Sequence, residues 1–432
     1  MSQTTSLPAA PERELEAAAT LPALLLQQAR TRPHATAIRH KTLGIWRSWS
    51  WTEALREAVL AAEVLAAGGF TARDRLLVLG DGSPELVFGA LGAQLLGGAV
   101  IPLDGHAQTD LVDAVVESGA ARFAVTSGQA ALDLLFTASG TERLARALAA
   151  GVDLELDPSS RVTEYRSAVA AASQSEPDRH SVATRVAALK ATQTAFRYHE
   201  RVAGSSEVRI VQIDHGRLLE AAAEAVRRDG LKADDELFAP VRLWELPALP
   251  VGLVGWLAAG CRLGIAENAE TIDADRRELG PTIQVASTAD YRALVERVRL
   301  RFGSPGSWRR KLIESSLDRA PDSRRGVTGN SPLSWRWFLV LRPLRDVIGL
   351  TRVRLAATTD GELDPDVERF LQALRVSVAE LARAHRTTHL GEQVSQGPSA
   401  AELERKARAS EEDDELEPAD ELLPSPLFQG GR

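Results

Sequence analysis

Cysteine is almost missing from this sequence: Cys261 stands alone, so no internal disulfide can form, and a disulfide-framed secreted scaffold is excluded. The stretch Met1–Ala19 lacks the basic, then apolar, then small-residue order of a secretory signal, so a cytoplasmic location is expected. Long apolar runs are also missing. The longest, Leu246–Gly260, holds Pro247 and Pro250 and falls short of the roughly 20 residues that cross a bilayer; it is expected in the core, with no transmembrane segment elsewhere. No GxSxG, no HExxH and no cysteine cluster occurs, and Cys261 lies in apolar, strand-like sequence typical of an inert buried thiol. No catalytic residue and no metal ligand set emerges from motifs. Nor is there a basic excess. The net charge is −8, and Glu411–Arg432 supplies −7 of it (eight acids against Arg432), leaving 50 basic and 51 acidic residues elsewhere. That balance is no nucleic-acid footprint.

What is present is patterned sequence. With 44% hydrophobic residues over 432 positions, the chain can bury a large core in one large or two medium domains. Helical spacing runs from Glu14 to Ala29, and Ala37–Trp51 alternates around Gly44 as a hairpin does. Ser50 and Glu53 form a capping-box pattern ahead of a helix at Ala54–Ala67. Strand Arg75–Leu79, helix Pro84–Leu96, strand Ala99–Pro102, helix Asp110–Ser118 and strand Arg122–Val125 repeat a strand–helix unit, which predicts α/β architecture with a mainly parallel, helix-flanked sheet. A second alternating block runs from Arg209 through helices Arg217–Arg228 and Leu246–Ala259, strands Arg262–Ala266 and Thr282–Ala286, and helix Thr288–Phe302. An amphipathic stretch Trp335–Ile348, strand Arg352–Ala356 and helix Pro365–Leu374 follow. The Ser/Ala-rich Ala170–Ala187 and the polar Gly303–Ser334 read as loops. The expected division is a first α/β subdomain at 1–169, a flexible connection at 170–207, a second subdomain at 208–391 and a disordered acidic tail at 392–432. Thr137–Thr141 has the look of a phosphate loop, but no strand leads into it and no Lys follows, so it reads as a turn between helices. Trp46, Trp49 and Trp51 fit a binding platform or, on a hairpin leading into a core helix, packing.

Several strings in order resemble the AMP-forming acyl-CoA synthetases, especially the long-chain type, among the adenylate-forming ligases. They are "TLPALLLQQARTRPHATAIRH", "DRLLVLGDGSPELVFGALGAQLLGGAVIPL", "HGRLLEAAAEAVRRDGLKADDELFAP" and "FLVLRPLRDVIGLTRVRLAATTDGELDPDVERFLQAL", within Thr20–Val378. The resemblance implies that family's large N-terminal domain, with no counterpart of its C-terminal domain after Glu392. It also implies an ATP-phosphate loop of the form TSGTTGxPKG, whose small residues admit phosphate to backbone N–H groups while a Lys adds charge. Counting back from His215, the corresponding string is "VAGSSEVRIVQIDH". Gly204, Ser205 and Ser206 survive, Arg209 stands at the Lys position, Glu207 adds a negative charge, and Val208 and Ile210 replace Pro and Gly. The family's adenine-side turn reads Thr358, Thr359, Asp360, Gly361 and Glu362, and its YGxTE motif falls on Ala382, Arg383, His385 and Arg386. A Glu replaced by Arg removes an oxygen ligand that a divalent cation needs. His385 and His389 lack a third ligand nearby and read as an exposed helix end.

These departures predict a non-catalytic, acyl-CoA-synthetase-like protein that binds, scaffolds or regulates, with no cofactor. The alternatives are a divergent ATP- and magnesium-dependent fatty acid-CoA ligase, completed by a partner subunit, and a binder of acyl chains or acyl-CoA with the Leu246–Ala266 segment walling its channel. Behind the acidic run, Leu422, Leu423, Leu427 and Phe428 fit a docking element for a protein partner, a segment that packs onto the folded body, or a merely solubilising terminus.

Overall fold

A computed structural model describes residues 18–117, 120–156, 161–173, 179–201, 208–239, 249–304, 306–318, 335–359, 361–378 and 392–394. Thr20 caps the first helix, α1 (Leu21–Thr31), by accepting the Ala23 N–H, and Pro22 sits in its first turn. The helix therefore begins at Leu21, and residues 18–20 do not continue the helical pattern that predicts a start at Glu14. The hairpin β1 (Thr36–Thr42) and β2 (Ile45–Ser50) turns at Leu43 and Gly44, both with positive φ. The capping box forms, Ser50 and Glu53 satisfying each other's backbone N–H at the start of α2 (Trp51–Ala67).

The repeated units then follow: β3 (Arg75–Gly80), α3 (Pro84–Leu95), β4 (Ala99–Leu103), α4 (Thr109–Glu117), β5 (Phe123–Ser127) and α5 (Gln129–Thr137). Thr137–Thr141 is the expected turn, leading from α5 through Gly140 into a 3-10 turn. Beyond it, β6 (Arg146–Ala150) and β7 (Val162–Glu164) extend the sheet past the last strand predicted there. The Ser/Ala-rich stretch is not simply a loop. It holds the last three residues of α6 (Tyr165–Ala172), which is capped by Glu164, and nearly all of α7 (Arg179–Ala188), whose Val182 and Val186 are buried. Alanine's helix propensity outweighs the loop-like composition once Tyr165 and Val169 have a core to enter. The expected connection also carries β8 (Thr194–Arg201); β9 (Val208–Asp214) and α8 (His215–Asp229) come next among the described residues.

The second block comprises β10 (Glu236–Phe238), α9 (Leu253–Ala259), β11 (Arg262–Ile265), α10 (Ile272–Leu279), β12 (Ile283–Ala286) and α11 (Thr288–Leu300). Helix α9 begins at Leu253 rather than Leu246; Pro250, a poor helix-interior residue, precedes it. Within the stretch read as a loop, α12 (Trp308–Asp318) forms, Ser307 accepting the Arg310 N–H at its start. Trp337–Leu341 is a π-helical turn that runs into α13 (Arg342–Val347), followed by β13 (Leu355–Thr358), α14 (Pro365–Ala373), β14 (Ser377–Val378) and β15 (Glu392–Val394).

Two sheets result, with strand orders β15-β9-β8-β4-β3-β5-β6-β7 and β14-β13-β12-β10-β11-β1-β2. Pairing is parallel except for β1/β2, β8/β9 and β9/β15, so the predicted helix-flanked, mainly parallel α/β fold is present. The sheets do not follow a linear division of the chain. Hairpin β1–β2 crosses into the seven-stranded sheet through Ile38↔Leu263 on β11, and β8, expected in a connection, pairs with β4.

One apolar core lies between the sheets, formed by α1, α2, α3, α8 and α9 with inward residues from both. All twelve residues of α3 are buried, as a helix enclosed on every side requires. A second core lies under α11, α12, α13 and α14 against the seven-stranded sheet, and a third under α4 and α5 against the eight-stranded one. Gly255 in α9 marks the tightness of the middle layer: a Cβ there would stand 2.6 Å from the Pro250 carbonyl oxygen and 3.0 Å from Leu231. Gly255→Ala should therefore lose about 1–3 kcal/mol in denaturant unfolding, and a variant as stable as the parent would show that this contact relaxes freely.

Candidate functional site

The phosphate-loop counterpart is set by the β8–β9 hairpin. Phe196 and Tyr198 of β8 point into the middle core and fix the hairpin's facing, and seven rungs join the strands, ending at Glu200↔Arg209 and Arg201↔Val208. Gly204, Ser205, Ser206 and Glu207 lie outside the described residues. Arg209 lies on β9 rather than in a loop, and its guanidinium meets Glu200 Oε2 across the rung at 2.5 Å. Arg201 pairs likewise with Asp110 of α4. Two guanidiniums and two carboxylates leave the described rim of the hairpin electrically neutral, a poor fit to a polyphosphate, which needs net positive charge.

Thr358 and Thr359 stand at the carboxyl end of β13 in the other sheet. Thr358 Oγ1 donates to the Gly361 carbonyl at 2.5 Å, and the Thr359 N–H donates to Ala286 O at 3.1 Å. Both threonines are buried. The turn is thus tied to the ends of β12 and β13, in the region outside parallel strands where α/β proteins commonly bind ligands. Asp360, the YGxTE counterparts Ala382–Arg386, His389 and the tail residues Leu422, Leu423, Leu427 and Phe428 lie outside the described residues.

Two other candidates resolve as packing. The tryptophans of the hairpin point to different partners: Trp51 stacks on Trp256 at 5.0 Å, Trp49 meets Phe88 edge-on at 5.9 Å, and Trp46 Nε1 donates to Glu278. In the segment considered for an acyl channel, Leu253–Ala259 are all buried, and Trp256 Nε1 donates to Ala37 O at 2.9 Å. Cys261 is fully buried, and burial pushes its thiol far above the ordinary range, so it remains protonated.

Sequence reading missed the buried polar groups, whose members are distant in the chain. Glu85 of α3 pairs with Arg166 of α6 at 3.1 Å. Glu57 nearby has its carboxyl raised, chiefly by burial, and His40 has its imidazole lowered, again chiefly by burial. Lys41 of β1 reaches Asp275 at 3.0 Å and Glu278 at 2.7 Å on α10, locking the hairpin to the second block. His215, the residue that anchors the loop alignment, is buried at the start of α8; its Nδ1 accepts the Leu21 N–H at 3.3 Å.

The sequence profile of the AMP-binding enzyme family matches residues 25–197. The matched segment is less than half of the chain. No curated protein matches the chain. Among solved structures, the fold is shared with an acyl-CoA synthetase of Brucella canis (19% identity, TM-score 0.59, covering 83% of this chain and 56% of that one). It is shared also with a putative long-chain-fatty-acid CoA ligase of Rhodopseudomonas palustris CGA009 (17%, 0.54, 83% and 74%) and with VinN (15%, 0.55, 83% and 73%). At these identities the likeness is one of fold. This chain spans just over half the length of the Brucella protein. Among the described residues no helix is long and apolar enough to cross a membrane, and no group of three His, Cys, Asp or Glu side chains is placed to hold a metal ion.

Burial lowers the imidazole of His215 to about 4. Burial also lowers His199 to about 4, helped by Arg197 and then Arg75. Because both folded values lie below the ordinary 6.5, the unfolded chain takes up protons that the native state refuses. Their contribution to stability is present above pH 6.5 and lost as pH falls toward about 4. His215→Gln, which keeps an acceptor for Leu21, should flatten the fall in melting temperature across that window. An unchanged pH slope would remove His215 from this account.

Proposed function

We propose that this AMP-binding-family, acyl-CoA-synthetase-like chain does not adenylate a substrate but acts as a binding, scaffold or regulatory subunit in the cytoplasm. One observation carries the reading: Arg209, the cation at the position of the phosphate-loop lysine, lies in a regular strand with its charge met by Glu200 on the opposite rung. The loop sequence supports it, since Glu207 adds negative charge and Val208 and Ile210 remove the residues that let backbone approach phosphate. Arg386, at the position of a metal-side carboxylate, supports it further.

The divergent-ligase reading keeps one point in its favour. Both partners of the Arg209–Glu200 pair are well exposed, with side chains 46% and 36% accessible, and a surface pair of this kind is worth at most about 1 kcal/mol. Arg209 is therefore able to leave Glu200 for a bound phosphate, beside the surviving Gly204, Ser205 and Ser206. The acyl ligand has no assigned site, because all seven residues of the helix considered for its channel are buried.

The full chain should show no change in melting temperature with millimolar ATP and magnesium, and no carboxylate-dependent exchange of pyrophosphate into ATP. A ligand at about 100 times its dissociation constant adds roughly 2.7 kcal/mol, several degrees of melting temperature in a protein of this size. A magnesium-dependent shift accompanied by exchange would overturn the non-catalytic reading in favour of the ligase; a shift without exchange would leave a nucleotide-binding subunit in its place.

A further inference from the structure

The outer face of the seven-stranded sheet carries two adjoining helical segments with unusually exposed apolar side chains. On α12, Trp308 is 77% exposed. On the segment running through the π-helical turn into α13, Trp335 is 54%, Phe338 41% and Leu339 71% exposed. Trp335, Phe338, Leu339 and Arg342 recur at helical spacing and form one outward stripe, while Leu341 is turned into the core beneath. The segments are held side by side by Arg336, which donates to Ser315 Oγ at 2.9 Å and to Ser316 Oγ at 3.3 Å. Large apolar groups clustered in this way mark interaction surfaces more often than ordinary solvent-facing sequence.

The same face is basic. The described residues in 299–318 and 335–347 carry eight Arg or Lys against three Asp or Glu, a local net charge of +5 in a protein of net charge −8. Glu314 is taken by Arg310, and Asp346 accepts from Thr351. No carboxylate among the described residues pairs with Arg309, Lys311 or Arg342. The occupant this surface calls for combines several negative charges with a few large apolar anchors.

One segment of this chain has that composition. Glu411–Glu421 contains eight acids, and Leu422, Leu423, Leu427 and Phe428 follow at once. Between Val394, the last described residue, and Leu422 lie 27 residues, whose extended reach of up to about 90 Å exceeds the size of a domain with a radius of gyration of about 22 Å. We infer that the acidic segment docks in cis on the α12–α13 face, its carboxylates against Arg309, Lys311 and Arg342 and its Leu and Phe side chains against Trp308, Trp335, Phe338 and Leu339. An anionic membrane would attract the same face, but the acidic run of the same chain would be repelled from it and competes for it at high local concentration. The docked segment would shield the apolar stripe until a stronger acidic partner displaced it. This inference is independent of whether the chain handles nucleotide.

The full chain bearing p-benzoylphenylalanine in place of Phe428 tests it. Irradiation should give an adduct at monomer mass that maps to 308–311 or 335–342. Its yield should fall about tenfold in 1 M salt and in the triple variant Arg309→Glu, Lys311→Glu, Arg342→Glu. These side chains make no described ion pair, so the variant should melt with the parent, and the comparison is made only between folded proteins. Adducts mapping elsewhere, adducts at dimer mass, or a yield unmoved by the charge reversals would each overturn docking in cis on this face. Flotation of the intact chain with phosphatidylglycerol vesicles, abolished by the same charge reversals and accompanied by no adduct, would assign the face to a membrane instead.

Discussion

The close approach of α2 and α3 between the two sheets is the constraint from which the rest of the architecture follows. A Cβ on Gly92 of α3 would meet the Ala58 carbonyl oxygen and the Ala62 nitrogen of α2 at 2.9 Å each, so backbone lies against backbone. The neighbouring alanines of α2 keep the contact thin, and α3 can then be buried on every side with a sheet on either flank. The stacked Trp51 and Trp256 close the layer beside the hairpin, and the bond from Trp256 to the Ala37 carbonyl ties the first strand of the chain to a helix more than 200 residues later. Because these contacts are dispersion between well-fitted surfaces, they resist single changes in volume.

Charge in this protein binds distant elements together. Lys41 with Asp275 and Glu278, Arg354 with Asp235, and Arg262 with Glu236 each join segments far apart in sequence at the rims of the seven-stranded sheet. Removing one member of such a partly buried pair leaves the other unpaired in a poorly solvated place, which costs more than the pair contributes intact. Around the β8–β9 hairpin the same logic neutralises what an anion-binding rim would leave positive. On the α12–α13 face, over the second core, Arg309, Lys311 and Arg342 have no carboxylate partner among the described residues.

Legibility differed by physical cause. The hairpin at Gly44, the capping box at Ser50 and Glu53, and the run of strand–helix units from Arg75 to Val125 were readable because each rests on contacts a few residues apart or on simple periodicity. Helices α6, α7 and α12 were not, since their polar composition becomes helical only with a core under Tyr165, Val182 or Leu317. Strands β6 and β8 were overlooked because "RALAA" and "TAFRYHER" acquire strand identity from neighbours already in the sheet. Of the site, the substitutions at Arg209 and Ile210 were visible in sequence, whereas the Glu200 partner and the Asp110–Arg201 pair beside it were not.

By itself, the sequence determined the α/β class, the order of most elements, the resemblance to adenylate-forming ligases and the erosion of the phosphate-loop string, because these are properties of neighbouring residues and their spacing. Only the tertiary structure decided that hairpin β1–β2 leaves the first block for the second sheet, that Leu253–Ala259 is solid core, and that Arg209 faces a carboxylate across a rung. Those outcomes depend on which surfaces meet when distant segments are buried together, and sheet pairing and side-chain packing settle that only once the whole chain has closed around its middle layer.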